Sequence, residues 1–434
     1  MRKRILMTLA TISALNAISA NAATDFSLFG ADVSLSGFAT AGFAISDQSY
    51  KYQRFLDDNG TFKRDSVLGG QIDIKLNDEF SVIAQAKLAP SISSERDVDA
   101  TLTWAFLAWR PTNDLLFRGG RVRVPFYLHS ETTDIGETFE FARLPVEVYP
   151  VSAVANINGL SGSKTWDLNN GELTLSGYVG ELTNHVRQSP YNQPPLSAEA
   201  SYMQINTEGY GLVLTFEHDS DIFRIGAHDS FSRRNDGQGM EVTFPFVSIM
   251  PNVGYYQVSN DMPGPGVPKV NEVRTISYVV GADIELGEGF RLMGEYVRRD
   301  VRNIVTGPDS QGGYLALLKS FDDWTPYVSM AHLQSMEKSL NLYRDLSGNT
   351  VPDIIPDAAV LNASQRATAA SIDVYDQTTW AIGTSYRINP TSKLKAEWAI
   401  TKTGDVSSFI DTPIGGASGD KLINVFSFSY NIVF

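Results

Sequence analysis

The feature that most constrains this chain is its last stretch, Phe426-Ser427-Phe428-Ser429-Tyr430-Asn431-Ile432-Val433-Phe434. Phe426, Phe428, Tyr430, Ile432 and Phe434 share one parity, so an extended strand here has one wholly apolar, mostly aromatic face. Leu422 and Asn424 continue the same parity upstream. The resulting strand reaches the roughly 9 to 11 residues that cross a bilayer when tilted. Such a face needs either a sheet core or a hydrocarbon surround, and the rest of the sequence decides between them.

Alternation of this kind recurs along the chain. Asp32 to Ile45 puts Val33, Leu35, Ala39, Ala41, Phe43 and Ile45 on one face and polar residues on the other. Val67–Leu76 and Phe80–Leu88 are separated only by Asn77-Asp78-Glu79, a hairpin with a tight polar turn. The same pattern gives Leu102–Arg110 with Leu115–Val124, and 157–166 with 172–180. It continues as 210–218 with 222–231, 273–286 with 290–299, 313–321 with 324–332, and 378–388 with 392–401. With the terminal strand, the spacing predicts about sixteen strands. Seven tight turns fall at one end and eight longer connections at the other. The stretch 232–272 reads as one long loop, although Glu241–Ile249 and Val253–Ser259 would form a further hairpin and raise the count to eighteen.

That asymmetry sets the fold class: an all-β, transmembrane antiparallel β-barrel, with short periplasmic turns and long external loops. Trp109, Trp166, Phe80, Phe290 and Trp324 beside the short turns suit an interfacial aromatic girdle. Arg2-Lys3-Arg4, an apolar run from Ile5 to Ile18 and Ala20-Asn21-Ala22 predict a cleaved export signal over 1–22, leaving 23–434 as one barrel domain. The chain has no cysteine, which excludes disulfides and thiolate metal sites. Its formal net charge of −14 argues against nucleic acid as a partner. No metal-binding histidine pair, phosphate loop or redox motif is present, and no cofactor is expected. His129, His185, His218, His228 and His332 are scattered, so no enzyme is read here. Asp345, Asn349 and Asp353 lack the spacing of a calcium loop and read as solvated groups.

Leu115 to Phe126, with Arg118-Gly119-Gly120-Arg121-Val122-Arg123-Val124-Pro125-Phe126, is the most distinctive internal stretch. Taking Val122 and Val124 as outward places Arg121 and Arg123 toward the lumen. The connection that follows, within 125–156, carries Glu131, Asp134, Glu137, Glu140 and Glu147 against Arg143, together with apolar anchors such as Phe139 and Phe141. A loop of this length and apolar content is predicted to fold into the barrel and narrow it. Its acids would then face the wall arginines and set a transverse field. Further wall cations by parity are Lys87, Lys319, Arg387, Lys393 and Lys395.

The terminal strand, with Phe428, Tyr430 and a final Phe434, resembles the C-terminal signature that outer-membrane barrels present to the barrel-insertion machinery. Trp104 to Thr112, Arg118 to Phe126 and Pro145-Val146-Glu147-Val148-Tyr149 together resemble a porin-like family of proteobacterial outer membranes. More distantly, they resemble the phosphate-selective porins, from which this chain departs in its acidic loop without a lysine cluster. The resemblance implies a homotrimer in outer-membrane lipid and lipopolysaccharide, with the third external loop entering the pore. It also implies passive diffusion of small hydrophilic solutes, anions included. A plugged barrel that binds ligands through its long loops is the alternative.

Overall fold

The computed structural model describes residues 24–434 apart from 29, 150–155, 194–195 and 412–416. The expected export segment 1–22 and the part of the predicted constriction loop at 150–155 lie outside the described residues. Strands form where the period-two pattern is strongest, and sixteen of them make an antiparallel ring. In chain order these are β1 (Ala31–Ser46), β2 (Val67–Lys75), β3 (Phe80–Pro90), β4 (Val98–Thr112) and β5 (Leu115–Arg123). Then come β6 (Asn156–Leu168), β7 (Gly171–Gln188), β8 (Ser201–His218), β9 (Asp221–Arg234), β10 (Val273–Gly287) and β11 (Phe290–Val301). The ring is completed by β12 (Ser310–Lys319), β13 (Trp324–Ser335), β14 (Tyr375–Asn389), β15 (Ser392–Ser407) and β16 (Leu422–Val433).

Closure occurs where β16 pairs with β1, from Val433 opposite Phe38 to Val425 opposite Ser46. Phe434 exchanges backbone hydrogen bonds with Gly37, and its ring lies on Gly37 so closely that a side chain there would collide with it. A seventeenth strand, Thr24–Leu28, folds back on the start of β1.

Sixteen is the expected count. The hairpin foreseen near 241–259 exists as Phe246–Met250 against Val253–Tyr256, but these strands pair only with each other and are too short to cross a bilayer. Tight turns join the strands at one rim, and Asp219, Glu288 and Asp322 enter the left-handed region there, with φ of 51°, 50° and 49°. Aspartate tolerates that conformation in turns, and Glu288 stands between Gly287 and Gly289, which share its left-handed sign. The other rim carries the long connections, including helices α1 (Glu337–Gly348) and α2 (Ala358–Ser371). No described helix is long and apolar enough to cross a membrane.

Outward-facing residues are apolar between two aromatic bands. At the short-turn rim Phe80 stacks on Trp109 at 6.2 Å, Trp109 on Phe117 at 5.6 Å, and Trp324 meets Tyr386 at 4.7 Å. The second band, which the sequence reading did not find, lies toward the long loops. There Tyr210, Tyr296 and Trp398 direct their polar atoms to Asp229, Gln311 and Asn424. An aromatic ring with one polar edge suits a boundary between hydrocarbon and water.

Candidate functional site

The largest buried apolar cluster lies inside the ring. It joins inner-face residues of β10 to β13, among them Met293, Val297, Tyr314 and Tyr327, to the segment between β5 and β6. Phe141 of that segment packs edge-on against Tyr314 and Tyr327, at 5.9 and 5.1 Å. The Ala142 amide donates to the Tyr327 hydroxyl at 3.0 Å, and the Leu128 amide donates to Glu295 at 2.8 Å. Tyr149 donates to the same Glu295 at 2.5 Å. Across the ring, Gly136 presses against Asn431 of β16 and Thr40 of β1, where no side chain would fit. The segment thus contacts the inner wall on several sides, and the apolar anchors seen in its sequence make those contacts.

Most charged groups on the segment meet an opposite charge on the wall or on the β1–β2 connection. Asp134 accepts from Lys87 at 2.6 Å and from Arg123 at 2.7 Å. Burial works to raise the Asp134 pKa, but the two cations outweigh it and hold the carboxyl below its ordinary value. Glu140 accepts from Lys393 at 2.9 Å and from the Ser385 hydroxyl; burial opposes ionisation there too and is again outweighed. Glu137 stands 3.7 Å from Lys393. Glu131 pairs with Arg118 at 3.3 Å, and Arg143 pairs with Asp65 of the β1–β2 connection. Lys395 donates to the Phe141 carbonyl at 2.9 Å, with its ammonium 3.9 Å from the centre of the Phe139 ring. Glu147 differs from the other acids. It is 1% exposed, accepts from Gln377 at 2.7 Å and Thr379 at 2.5 Å, and burial leaves its pKa raised despite both donors.

The orientation expected for β5 is corrected. Arg121 sits opposite Ala105, two residues from Gly119, which faces the outward Leu107; Phe117 likewise faces the outward Trp109. Arg121 therefore has outward parity, its Nε donating to the Leu102 carbonyl at 2.7 Å and its Nη1 to Asn158 at 3.2 Å. Arg118 shares the parity of Val122 and Val124, so it too lies on the inner face and not toward lipid, and its guanidinium lies 5.5 Å from the Phe106 ring centre. Val122, read as outward, is 1% exposed within the inner cluster. The valines face inward because the segment gives the lumen an apolar filling, so they do not mark the lipid side. Phe117 was the residue that carried the parity. Arg123, at the strand's end, does reach inward; its Nη1 also donates to the Ser130 carbonyl at 3.2 Å.

Among the wall cations, Lys87, Lys393 and Lys395 meet the segment, and Arg387 has inward parity at the short-turn rim. Lys319 is corrected. It shares the outward parity of Leu315 and Leu317, donates to the Glu288 carbonyl and stands 4.1 Å from the Phe290 ring centre, a snorkelling cation at the aromatic band. On β16, Phe428 is half exposed outward, whereas Tyr430 is covered.

Two cavities adjoin the charged contacts. One of about 440 Å³, lined by Lys87, Asp134, Arg64, Asp65 and Arg143, lies on the long-loop side. The other, about 850 Å³, opens toward the short turns and is lined by Asp73, Trp104, Phe106 and Arg118. Among the described residues no cluster of side chains is arranged to hold a metal ion.

No protein-family model matches the chain, and no characterised protein matches it in sequence. Among solved structures it is similar to the outer-membrane expressed OmpT of Vibrio cholerae, 11% identical, covering 95% of this chain and 100% of that one with a TM-score of 0.50. It is also similar to an anion-selective porin from Comamonas acidovorans, 10% identical, covering 93% and 100% with a TM-score of 0.50. The fold is that of an outer-membrane porin-type barrel. At such low identity the likeness concerns fold alone.

Proposed function

We propose that the protein is an outer-membrane porin that passes small hydrophilic solutes, anions among them, by passive diffusion. In this reading 1–22 is a cleaved export signal, and the short turns face the periplasm. Phe428, Tyr430 and Phe434 address the barrel-insertion machinery, and the barrel works as a homotrimer among lipid and lipopolysaccharide. The segment 125–156 is its constriction. The observation that carries this reading is the charged seam between segment and wall, Lys87, Asp134, Arg123, Arg118 and Glu131, lying between the two cavities. A solute passing between those cavities meets cations on the wall and carboxylates on the segment, an arrangement that discriminates by charge as well as size. No chemistry is assigned to the barrel.

A second reading, a plugged barrel that binds ligands through its outer loops, is favoured by one observation: the segment is fixed by an apolar cluster as well as by ion pairs. Conductance and reversal potential of the purified protein in planar bilayers under a salt gradient separate the two. Steady ohmic steps support the porin, and silence from a correctly folded barrel supports the plug.

A further inference from the structure

The chamber of about 850 Å³ on the short-turn side carries a patch of inner wall that extends beyond the charged seam. Strand register sets its residues side by side. Gln71 of β2 stands opposite Gln85 of β3, with Trp104 of β4 beyond it, and Asp73, Ile83 and Phe106 make the next inward row. On β5, Gly120 stands opposite Phe106, with a φ of 134° and no space for a side chain, and Arg118 stands opposite Ala108. Trp104 is half-buried, and its ring is tilted by 31° to that of Phe106, with 6.3 Å between centres. The middle of the patch is aromatic, and polar groups flank it on β2 and β5. A site for an organic molecule combines such a wall with a few placed polar groups, in a volume of about 300–1,000 Å³.

The polar groups are held in place before any solute arrives. Gln85, buried behind the chamber, donates its Nε2 to the Gln71 Oε1 at 2.9 Å, and Gln71 donates its own Nε2 to the Asp73 Oδ2 at 2.8 Å. A buried amide thus orients Gln71, and Gln71 orients Asp73. Asp73 lines the chamber, and a carboxylate that accepts one such bond keeps acceptor capacity for others. Arg118, three strand spacings or about 14 Å along the wall from β2, is held by Glu131 through a single contact at 3.3 Å and keeps further donors. Charge then selects among solutes. Asp73 opposes an anion. An organic cation would compete with Arg118 and Arg123, which already stand 5.5 and 6.0 Å from the Phe106 and Trp104 ring centres. A neutral ring with a C–H face for Trp104 and hydroxyls at its edge meets all of these groups at once.

We infer that this chamber binds a neutral sugar, a pyranose ring lying on Trp104 with hydroxyls that donate to Asp73 and accept from Arg118. The inference rests on the porin reading for how the solute arrives and names a solute class for that pore. Binding is read apart from conduction, by titration calorimetry of the full-length barrel in a detergent without a sugar head group, using methyl glucopyranoside, sorbitol and benzyl alcohol. The glucoside is expected to bind at least tenfold more tightly than either of the others, since sorbitol has the hydroxyls without the ring face and benzyl alcohol a ring without the set of hydroxyls. Trp104→Ala is expected to remove the glucoside heat, and Trp104→Phe to keep part of it. Asp73→Asn, close in shape, is expected to weaken glucoside binding about tenfold through loss of the charged acceptor. Equal affinity for glucoside and sorbitol, or full glucoside affinity in a folded Trp104→Ala or Asp73→Asn barrel, overturns the inference. Tighter binding of glucuronate or choline than of the glucoside gives the chamber to a charged solute and overturns it as well. Ohmic channels without glucoside preference leave the porin reading standing and the sugar site refuted. Silent bilayers with glucoside preference do the reverse.

Discussion

Arg123 and Arg121 stand two residues apart and make opposite contacts, which gives a test at the scale of single side chains. Arg123 shares Asp134 with Lys87, so Arg123→Ala leaves that carboxylate with one cation and makes the charged seam more negative. A shift of the reversal potential toward cation selectivity is expected for Arg123→Ala. Arg121→Ala, outward and bonded to Leu102 and Asn158, is expected to leave the reversal potential where it is; equal shifts in both variants would remove Arg123 from the filter. Glu147 gives a second test. Its pKa is raised, so ionising it at neutral pH works against the fold, and that cost is absent at pH values below the ordinary carboxylate range. Glutamine keeps an oxygen to accept from Gln377 and Thr379 without the charge. Glu147→Gln should therefore melt higher than wild type at pH 8, with the difference vanishing near pH 4; a lower melting point at pH 8 would show the carboxylate to be ionised and needed.

Among the elements, the inner segment is held by two kinds of force that respond differently to pH. Asp134, Glu140 and Asp65 are each opposed by burial but held below their ordinary pKa by Lys87 and Arg123, by Lys393, and by Arg64 and Arg143. Depressed carboxylates contribute their anchoring above the ordinary range and lose it only as pH falls through the lowered values. Conductance should accordingly hold steady from pH 7 down to about 4 and change only below that. The apolar anchor is indifferent to pH. Phe141→Ala removes a side chain 1% exposed between Tyr314 and Tyr327, a loss of about 3 to 5 kcal/mol. Faster amide exchange confined to 126–149, with the strands protected, is the expected result, since those contacts hold the segment and not the ring.

How much of this the sequence displayed follows from which residues carry a period. Strands are legible where outward residues are apolar, as in Leu173 to Val179, and stop being so beyond the belt. β7 and β8 continue to Gln188 and back from Ser201 with Glu181, Thr183, Asn206 and Glu208 as ordinary polar residues, and no alternation marks them. α2 is legible in its run of small, helix-tolerant residues, whereas the polar run of α1 carries no such mark. The parity of β5 was misread because an apolar filling makes both of its faces apolar, a fact about the segment that packs on it.

For the molecule as a whole, the connections at the long-loop mouth pack on one another and so set how wide it is. Phe244, Leu340, Leu346, Ile372 and Val406 form a core of their own above the barrel. Tyr52 and Leu56 of the β1–β2 connection pack with Ile410 against the inner wall of β16. These groups are tied across the ring by Arg187 of β7. It makes a paired contact with Asp411 of the β15–β16 connection, at 2.7 and 2.8 Å, and a third bond to Glu95 of the β3–β4 connection at 2.7 Å. Arg54 and Tyr202 bind the same Glu95. Bidentate contacts to a guanidinium fix direction as well as distance, so Arg187 holds two loops in register from the opposite side of the mouth. Arg187→Ala takes the guanidinium away from Asp411, leaves Glu95 with Arg54 and Tyr202, and removes the tie, while the apolar core of the cap stays. Larger unit conductance and shorter closed periods are expected, with the strands melting as before. Raising salt should move wild type only part of the way toward the variant, because the tie is mostly shielded from solvent. Identical currents in the two proteins would mean that solutes enter elsewhere than between these loops. Silence in both, from folded barrels, would mean that the segment between β5 and β6, and not the mouth, closes the path.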